Sequence, residues 1–73
     1  MSEDDDPVVG KLGRVTHAIG TDRPGEVVIR IRGGTEVYMA IGDRELPLDS
    51  QVLVVGQLSA RTVQVTAFDG GVG

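Results

Sequence analysis

Residues 26–41 read Glu26-Val27-Val28-Ile29-Arg30-Ile31-Arg32-Gly33-Gly34-Thr35-Glu36-Val37-Tyr38-Met39-Ala40-Ile41, and this stretch decides the fold. Val27, Ile29 and Ile31 fall on one face at period two, with Arg30 and Arg32 on the other. That alternation is the pattern of a half-buried strand, and no window of helix length has apolar residues at i, i+3, i+4 and i+7. Gly33-Gly34 interrupts the pattern as a tight hairpin, because glycine enters positive φ without steric cost. One strand is therefore expected over Glu26–Arg32 and another over about Thr35–Ile41.

The hairpin register has two solutions. A two-residue loop at Gly33-Gly34 pairs Arg32 with Thr35 and Ile29 with Tyr38, which sends Tyr38 and Ala40 inward and leaves Val28, Val37 and Met39 outside. A three-residue loop with a glycine bulge pairs Ile29 with Val37, which buries Val37 and Met39 and exposes Tyr38. Plain alternation favours the second; a slip of one residue exchanges every face, so the two exclude each other.

Outward from the hairpin the same alphabet recurs. A first strand is expected from about Lys11 to Ile19, with Gly10 and Gly13 flanking its start. Residues 20–25 form a loop in which Pro24-Gly25 is the turn signal. A longer connection, Gly42 to Ser50, contains Asp43, Pro47 and Asp49. The fourth strand is Gln51 to Val55, Gly56 to Arg61 is a connection, and the fifth strand is Thr62 to Phe68. Five short strands without a helix predict an all-β fold, a small antiparallel barrel whose closure removes exposed sheet edges. Its core is thin, since a body of this size buries about 60% of its unfolded surface. Tyr38 and Phe68 are the only aromatic residues, so valine and isoleucine must fill the interior.

The chain has 73 residues with 7 basic and 11 acidic side chains. Glu3, Asp4, Asp5 and Asp6 form one run, and setting these four aside leaves a neutral body. The expected organisation is a disordered acidic leader over residues 1–7, one domain over 8–68 and a flexible glycine-rich end over 69–73. The absence of cysteine excludes disulfides and thiolate metal sites and fits a reducing compartment. The start is acidic where a signal peptide needs basic residues, and no apolar run approaches the ~18 residues of a membrane helix. The chain is expected to be soluble and cytoplasmic, without direct membrane insertion.

Read as a string, residues 10–68 resemble the soluble C-terminal domain of the NfeD-like family. The residues that carry the resemblance are Gly10-Lys11-Leu12-Gly13-Arg14-Val15, Pro24-Gly25-Glu26-Val27-Val28-Ile29, Gly33-Gly34-Thr35-Glu36-Val37-Tyr38-Met39-Ala40 and Asp43. Leu46-Pro47-Leu48, Val52-Leu53-Val54-Val55 and Arg61-Thr62-Val63-Gln64-Val65 complete it. Each motif is mostly turn glycines and strand valines; the specificity lies in their order and spacing. The resemblance implies a five-stranded OB-like barrel. It also implies that Ala40, where relatives carry a small residue, is buried, which favours the two-residue register. Relatives carry a membrane-spanning segment before this domain and are associated with flotillin- or stomatin-type membrane scaffolds. These 73 residues hold no such segment, so any place at the membrane is expected to be peripheral, through a partner or a separate membrane subunit. The family's turn before the fourth strand often holds glycine, where this chain has Asp49-Ser50. The serine-protease domain of longer members has no counterpart here.

The reactive inventory is short. His17 is the sole imidazole, and Ser50 and Ser59 lack a nucleophile-elbow pattern, so no catalytic residue is assigned and the protein is read as non-enzymatic. Asp43-Arg44-Glu45-Leu46-Pro47-Leu48-Asp49 lacks the alternate-ligand spacing of a calcium loop; no metal and no cofactor are expected. Under the favoured register Val28, Val37 and Met39 sit outside with Arg30, Arg32 and Thr35 around them. An apolar cluster with a polar rim marks a partner surface, and Val28, Val37, Met39, Arg30 and Arg32 are the candidate partner-binding residues. The expected function is a protein-interaction module, with a membrane-anchored scaffold as partner. Weak homo-oligomerisation through the same face is a further reading. The alternative from a different class is a single-stranded nucleic-acid-binding OB-like domain, using Arg30 and Arg32 with Lys11 and Arg14 nearby. A neutral body, an acidic tail and few aromatic platforms weigh against it.

Overall fold

The computed structural model describes residues 8–68; the expected leader over 1–7 and the glycine-rich end over 69–73 lie outside the described residues. Five strands follow one another: β1 (Leu12–His17), β2 (Gly25–Ile31), β3 (Gly34–Gly42), β4 (Gln51–Ser59) and β5 (Thr62–Ala67). They close into a barrel in the order β1-β2-β3-β5-β4, with β4 returning to β1. This is the strand order of an OB fold. Four of the pairings are antiparallel, but β3 and β5 run parallel from Met39↔Thr62 to Gly42↔Val65. The barrel is thus not antiparallel throughout. Directions cannot alternate all the way around a closed ring of five strands, so at least one neighbouring pair must be parallel.

The interior is mostly valine. Val15, Val27, Val52, Val54, Val63 and Val65 are fully buried with Ile19 and Ile29, and no polar or charged residue is buried among the described residues. β-branched side chains suit this role, because their stiff χ1 packs well on a pleated surface. Val8 joins the core from the turn that leads into β1, where Lys11 N–H donates to Val8 O at 3.1 Å.

The hairpin keeps the favoured faces but not the expected pairs. Val27 lies opposite Tyr38 and Val28 opposite Val37, with Ile31 opposite Gly34. Tyr38 and Ala40 are therefore buried, while Val37 and Met39 are exposed. The turn is Arg32-Gly33, with Gly33 at φ 82°; Gly34 is already the first residue of β3. The pairs Arg32–Thr35 and Ile29–Tyr38 do not form. The true register lies two residues away from them, which preserves the inside and outside of every strand.

Three other boundaries differ from expectation. β1 ends at His17, because a bulge between Val15 and His17 breaks its register with β2. The turn in the β1–β2 loop is at Thr21-Asp22, where Gly20 N–H donates to Arg23 O at 2.9 Å and Arg23 N–H to Gly20 O at 3.3 Å. Gly25 is no turn residue; it opens β2 opposite Ala40. β4 continues past Val55 to Ser59, because irregularities between Val54 and Gly56 and between Gln57 and Ser59 absorb extra residues without ending the strand. The expected connection over Gly56–Arg61 shrinks to Ala60-Arg61.

Candidate interaction face

The outer surface of β1, β2 and β3 carries the five candidate residues. The pleat sends Val28 and Arg30 of β2 outward, with Val37 and Met39 of β3 on the same side. Val28 and Val37 are cross-strand neighbours, Met39 stands opposite Glu26, and Arg30 stands opposite Thr35. Val37 is 46% and Met39 49% exposed, while Val28 between the flanking strands is half-buried. Arg32 sits in the hairpin turn beside this strip and is exposed. The structure thus brings Val28, Val37, Met39 and Arg30 onto one continuous face, with Arg32 at its edge.

Reasoning from sequence placed Arg14 only in the neighbourhood; the register fixes it opposite Val28 on the same outer face. Leu12, Arg14, Val28, Arg30, Thr35 and Gln51 line a shallow groove of about 310 Å³ across β1 and β2. Its cations Arg14 and Arg30 make no hydrogen bond or ion pair with the described residues. A second, wider cleft of about 700 Å³ opens between the β1–β2 and β3–β4 loops, where Thr21, Asp22 and Arg23 face Glu45, Leu46 and Pro47.

Arg61 is the contact that sequence reading missed. Its guanidinium lies 5.3 Å from the centre of the Tyr38 ring. Nη2 donates to Val37 O at 3.1 Å and Nη1 to Glu36 Oε1 at 3.3 Å. Arg61 and Glu36 are 25 residues apart, so no local pattern announces the pair.

The residues weighed for chemistry have other occupations. His17 Nδ1 lies 2.9 Å from Glu26 Oε1 across β1 and β2, and both side chains are exposed. Ser50 closes a turn through its N–H to Pro47 O at 3.1 Å and accepts from Val15 N–H at 2.9 Å. Ser59 accepts from the Gln57 side chain through its carbonyl at 3.1 Å. In the segment Asp43–Asp49 the buried member is Leu46. Among the described residues no three of His, Cys, Asp or Glu gather as metal ligands would. No helix of the described residues is long and apolar enough to cross a membrane.

Comparison with known proteins supports the same architecture. The chain is similar over 85% of its length, at 33% identity and a TM-score of 0.74, to the soluble domain of the NfeD protein YuaF from Bacillus subtilis, of which it covers 75%. It is also similar to the C-terminal domain of stomatin operon partner protein 1510-C from Pyrococcus horikoshii. That likeness has a TM-score of 0.60 at 22% identity, covers 84% of this chain and 88% of the other, and speaks for the fold alone. No curated protein gives a significant match. The family model described as the NfeD C-terminal domain matches residues 12–66, the whole of the barrel from β1 nearly to the end of β5. The chain belongs to the NfeD family as a C-terminal, five-stranded barrel domain.

Proposed function

We propose that this barrel is a non-catalytic protein-interaction module that docks a stomatin- or flotillin-type membrane scaffold through the outer face of β2 and β3. The observation that carries the reading is the exposure of Val37 and Met39, at 46% and 49%, on a strand whose inward positions Tyr38 and Ala40 are buried. Apolar side chains left in water beside arginines have the make-up of an interface centre with a charged rim. One of the solved relatives is named for partnership in a stomatin operon, which supports a scaffold as the partner. A partner that contacts this face places the barrel at the membrane periphery.

The test is a pair of charge insertions. Val37→Asp and Met39→Asp are expected to leave the circular-dichroism spectrum and melting temperature nearly unchanged, because both side chains already stand in water. Each is expected to lower capture of a purified stomatin-type scaffold at least tenfold, on the scale of losing a central interface residue. Unchanged capture by both variants refutes the reading.

The nucleic-acid reading draws on Arg14 and Arg30 of the groove, whose side chains have no partner among the described residues. Against it, Tyr38 is buried beneath Arg61 and offers no stacking platform on this face. If short single-stranded DNA shifts the backbone amides of residues 28–40 in a salt-dependent way while the scaffold does not, the order of the two readings reverses.

A further inference from the structure

β3 has nine residues, yet β5 pairs only with Met39–Gly42. Met39 N–H donates to Arg61 O at 2.9 Å, so Met39 directs its main-chain groups away from β2. In a strand alternate residues share that direction, and Val37 and Thr35 therefore do the same. The chain turns at Ala60-Arg61 before any strand reaches them on that side. Among the described residues, Thr35 N–H, Thr35 C=O and Val37 N–H meet no main-chain partner. The Val37 carbonyl is held by Arg61 Nη2, with Nη1 on Glu36. The Arg61 side chain is itself 65% exposed, held among the described residues by these contacts and the Tyr38 ring.

We propose that the free edge of β3 at Thr35–Val37 accepts an extended segment of a partner protein as an added strand, with Arg61 as its displaceable cover. The proposal deepens the docking function and rests on it for the nature of the partner. An unpaired strand edge is a template for main-chain recognition. An antiparallel guest residue opposite Val37 exchanges two main-chain bonds and takes the Val37 carbonyl from Arg61; a guest residue opposite Thr35 exchanges two more. These two guest side chains lie on the outer face, where Val37, Val28 and Met39 favour apolar, β-branched residues. The guest residue between them lies opposite Glu36, where a basic side chain replaces Arg61 at the carboxylate. A second copy of this chain centred on the same residues would set Glu36 against Glu36, an unfavourable cross-strand pair. The guest is therefore a different chain with an apolar–basic–apolar alternation.

The test uses the full chain, isotopically labelled, and a blocked pentapeptide Thr-Val-Lys-Val-Thr, with a control in which both valines are N-methylated. The expected result is saturable shifts of the Thr35 and Val37 amides, slowed hydrogen exchange at those two positions, and no response to the control. Arg61→Ala is expected to bind the peptide about fivefold more tightly, since the guest no longer displaces a hydrogen bond. Equal binding of the N-methylated peptide, weaker binding by Arg61→Ala, or no response of either chain at millimolar peptide overturns the proposal. Sedimentation of Arg61→Ala as a dimer that ignores the peptide also overturns it, in favour of a second copy. The two proposals fail separately. Val37→Asp keeps the main-chain edge, so peptide binding that survives in a chain whose scaffold capture never depended on Val37 removes the docking reading alone.

Discussion

The two ends of the barrel are closed by different means. At the end that holds the β1–β2 and β3–β4 loops, Ile19 and Leu46 exchange both main-chain bonds at 2.9 Å and bury their side chains to 2% and 3% exposure. Asp49 N–H adds a bond to Val15 O at 2.8 Å. At the end that holds the two hairpin turns, main-chain bonding between β3 and the β4–β5 turn stops at Met39 N–H to Arg61 O, and beyond it the link is one charged side chain, Arg61, on Tyr38, Glu36 and the Val37 carbonyl. Main-chain closure needs the backbone at fixed positions and leaves no tolerance for a misplaced atom. Side-chain closure on the surface is weak, because exposed ion pairs and cation–π contacts contribute about 1 kcal/mol or less. One end is built for permanence, and the other is free to exchange partners.

The sharpest way to break this comparison is at Gly25. A Cβ there would collide with the carbonyl of His17, lie 2.6 Å from Ala18 O and 2.7 Å from Ile19 Cγ1. Two of these neighbours are backbone and cannot rotate away. Gly25→Ala is therefore expected to cost about 3 kcal/mol or more, at the upper end of overpacking effects. A thin barrel whose whole stability is about 3–5 kcal/mol would be largely unfolded at 37 °C by circular dichroism. A chain with an undiminished melting temperature would mean that the loop end is not held by its backbone.

A matched pair of truncations comes next. Leu46→Ala removes a buried side chain from the loop end and is expected to cost about 2–4 kcal/mol in urea unfolding. Arg61→Ala removes the cover at the hairpin end and is expected to cost about 1 kcal/mol or less. Equal losses would erase the difference between the ends. A larger loss at Arg61 would invert it and make the side chain a structural strut, at odds with its role as a displaceable cover.

These positions also mark what the sequence discloses. The alternation of Val27, Ile29 and Ile31 announced the strands, because burial acts on a period of two; the inward face of Ala40 came from the resemblance to the NfeD-like domain, whose members carry a small residue there. The turn at Arg32-Gly33 was missed by one residue, which moves the pairing by two, since two adjacent glycines offer alternative turns and only the packed barrel chooses between them. Gly25 looked like half of a Pro-Gly turn; its need for a missing Cβ comes from the carbonyls of His17 and Ala18, which only the closed barrel brings there. The parallel seam between β3 and β5 follows from five strands in a ring, a property of topology and not of any residue. On the candidate face, the outward place of Val37 and Met39 was favoured only by the resemblance at Ala40, while Val28 and Arg30 were legible through the alternation itself. Arg61 was not, because its partners lie far away in the chain and meet it across the seam.

The smallest expected effect sharpens the contrast within the loop end itself. Asp49 has φ 73°, in the left-handed region where non-glycine residues are disfavoured by about 1–2 kcal/mol and aspartate somewhat less. It precedes Ser50 in the turn closed by Ser50 N–H to Pro47 O, and its own N–H reaches Val15, so the conformation is imposed by the bonds that close this end. Asp49→Gly relieves the steric cost but adds freedom to the unfolded chain, which offsets about 0.4–1 kcal/mol. The net gain is expected to be about 0.5 kcal/mol or less. Asp49→Val keeps every main-chain bond, yet puts a β-branched side chain at positive φ, and is expected to lose about 1–2 kcal/mol. If glycine and valine at this position melt at the same temperature, backbone conformation is not what holds the loop end. The burial of Ile19 and Leu46 would then have to account for it alone.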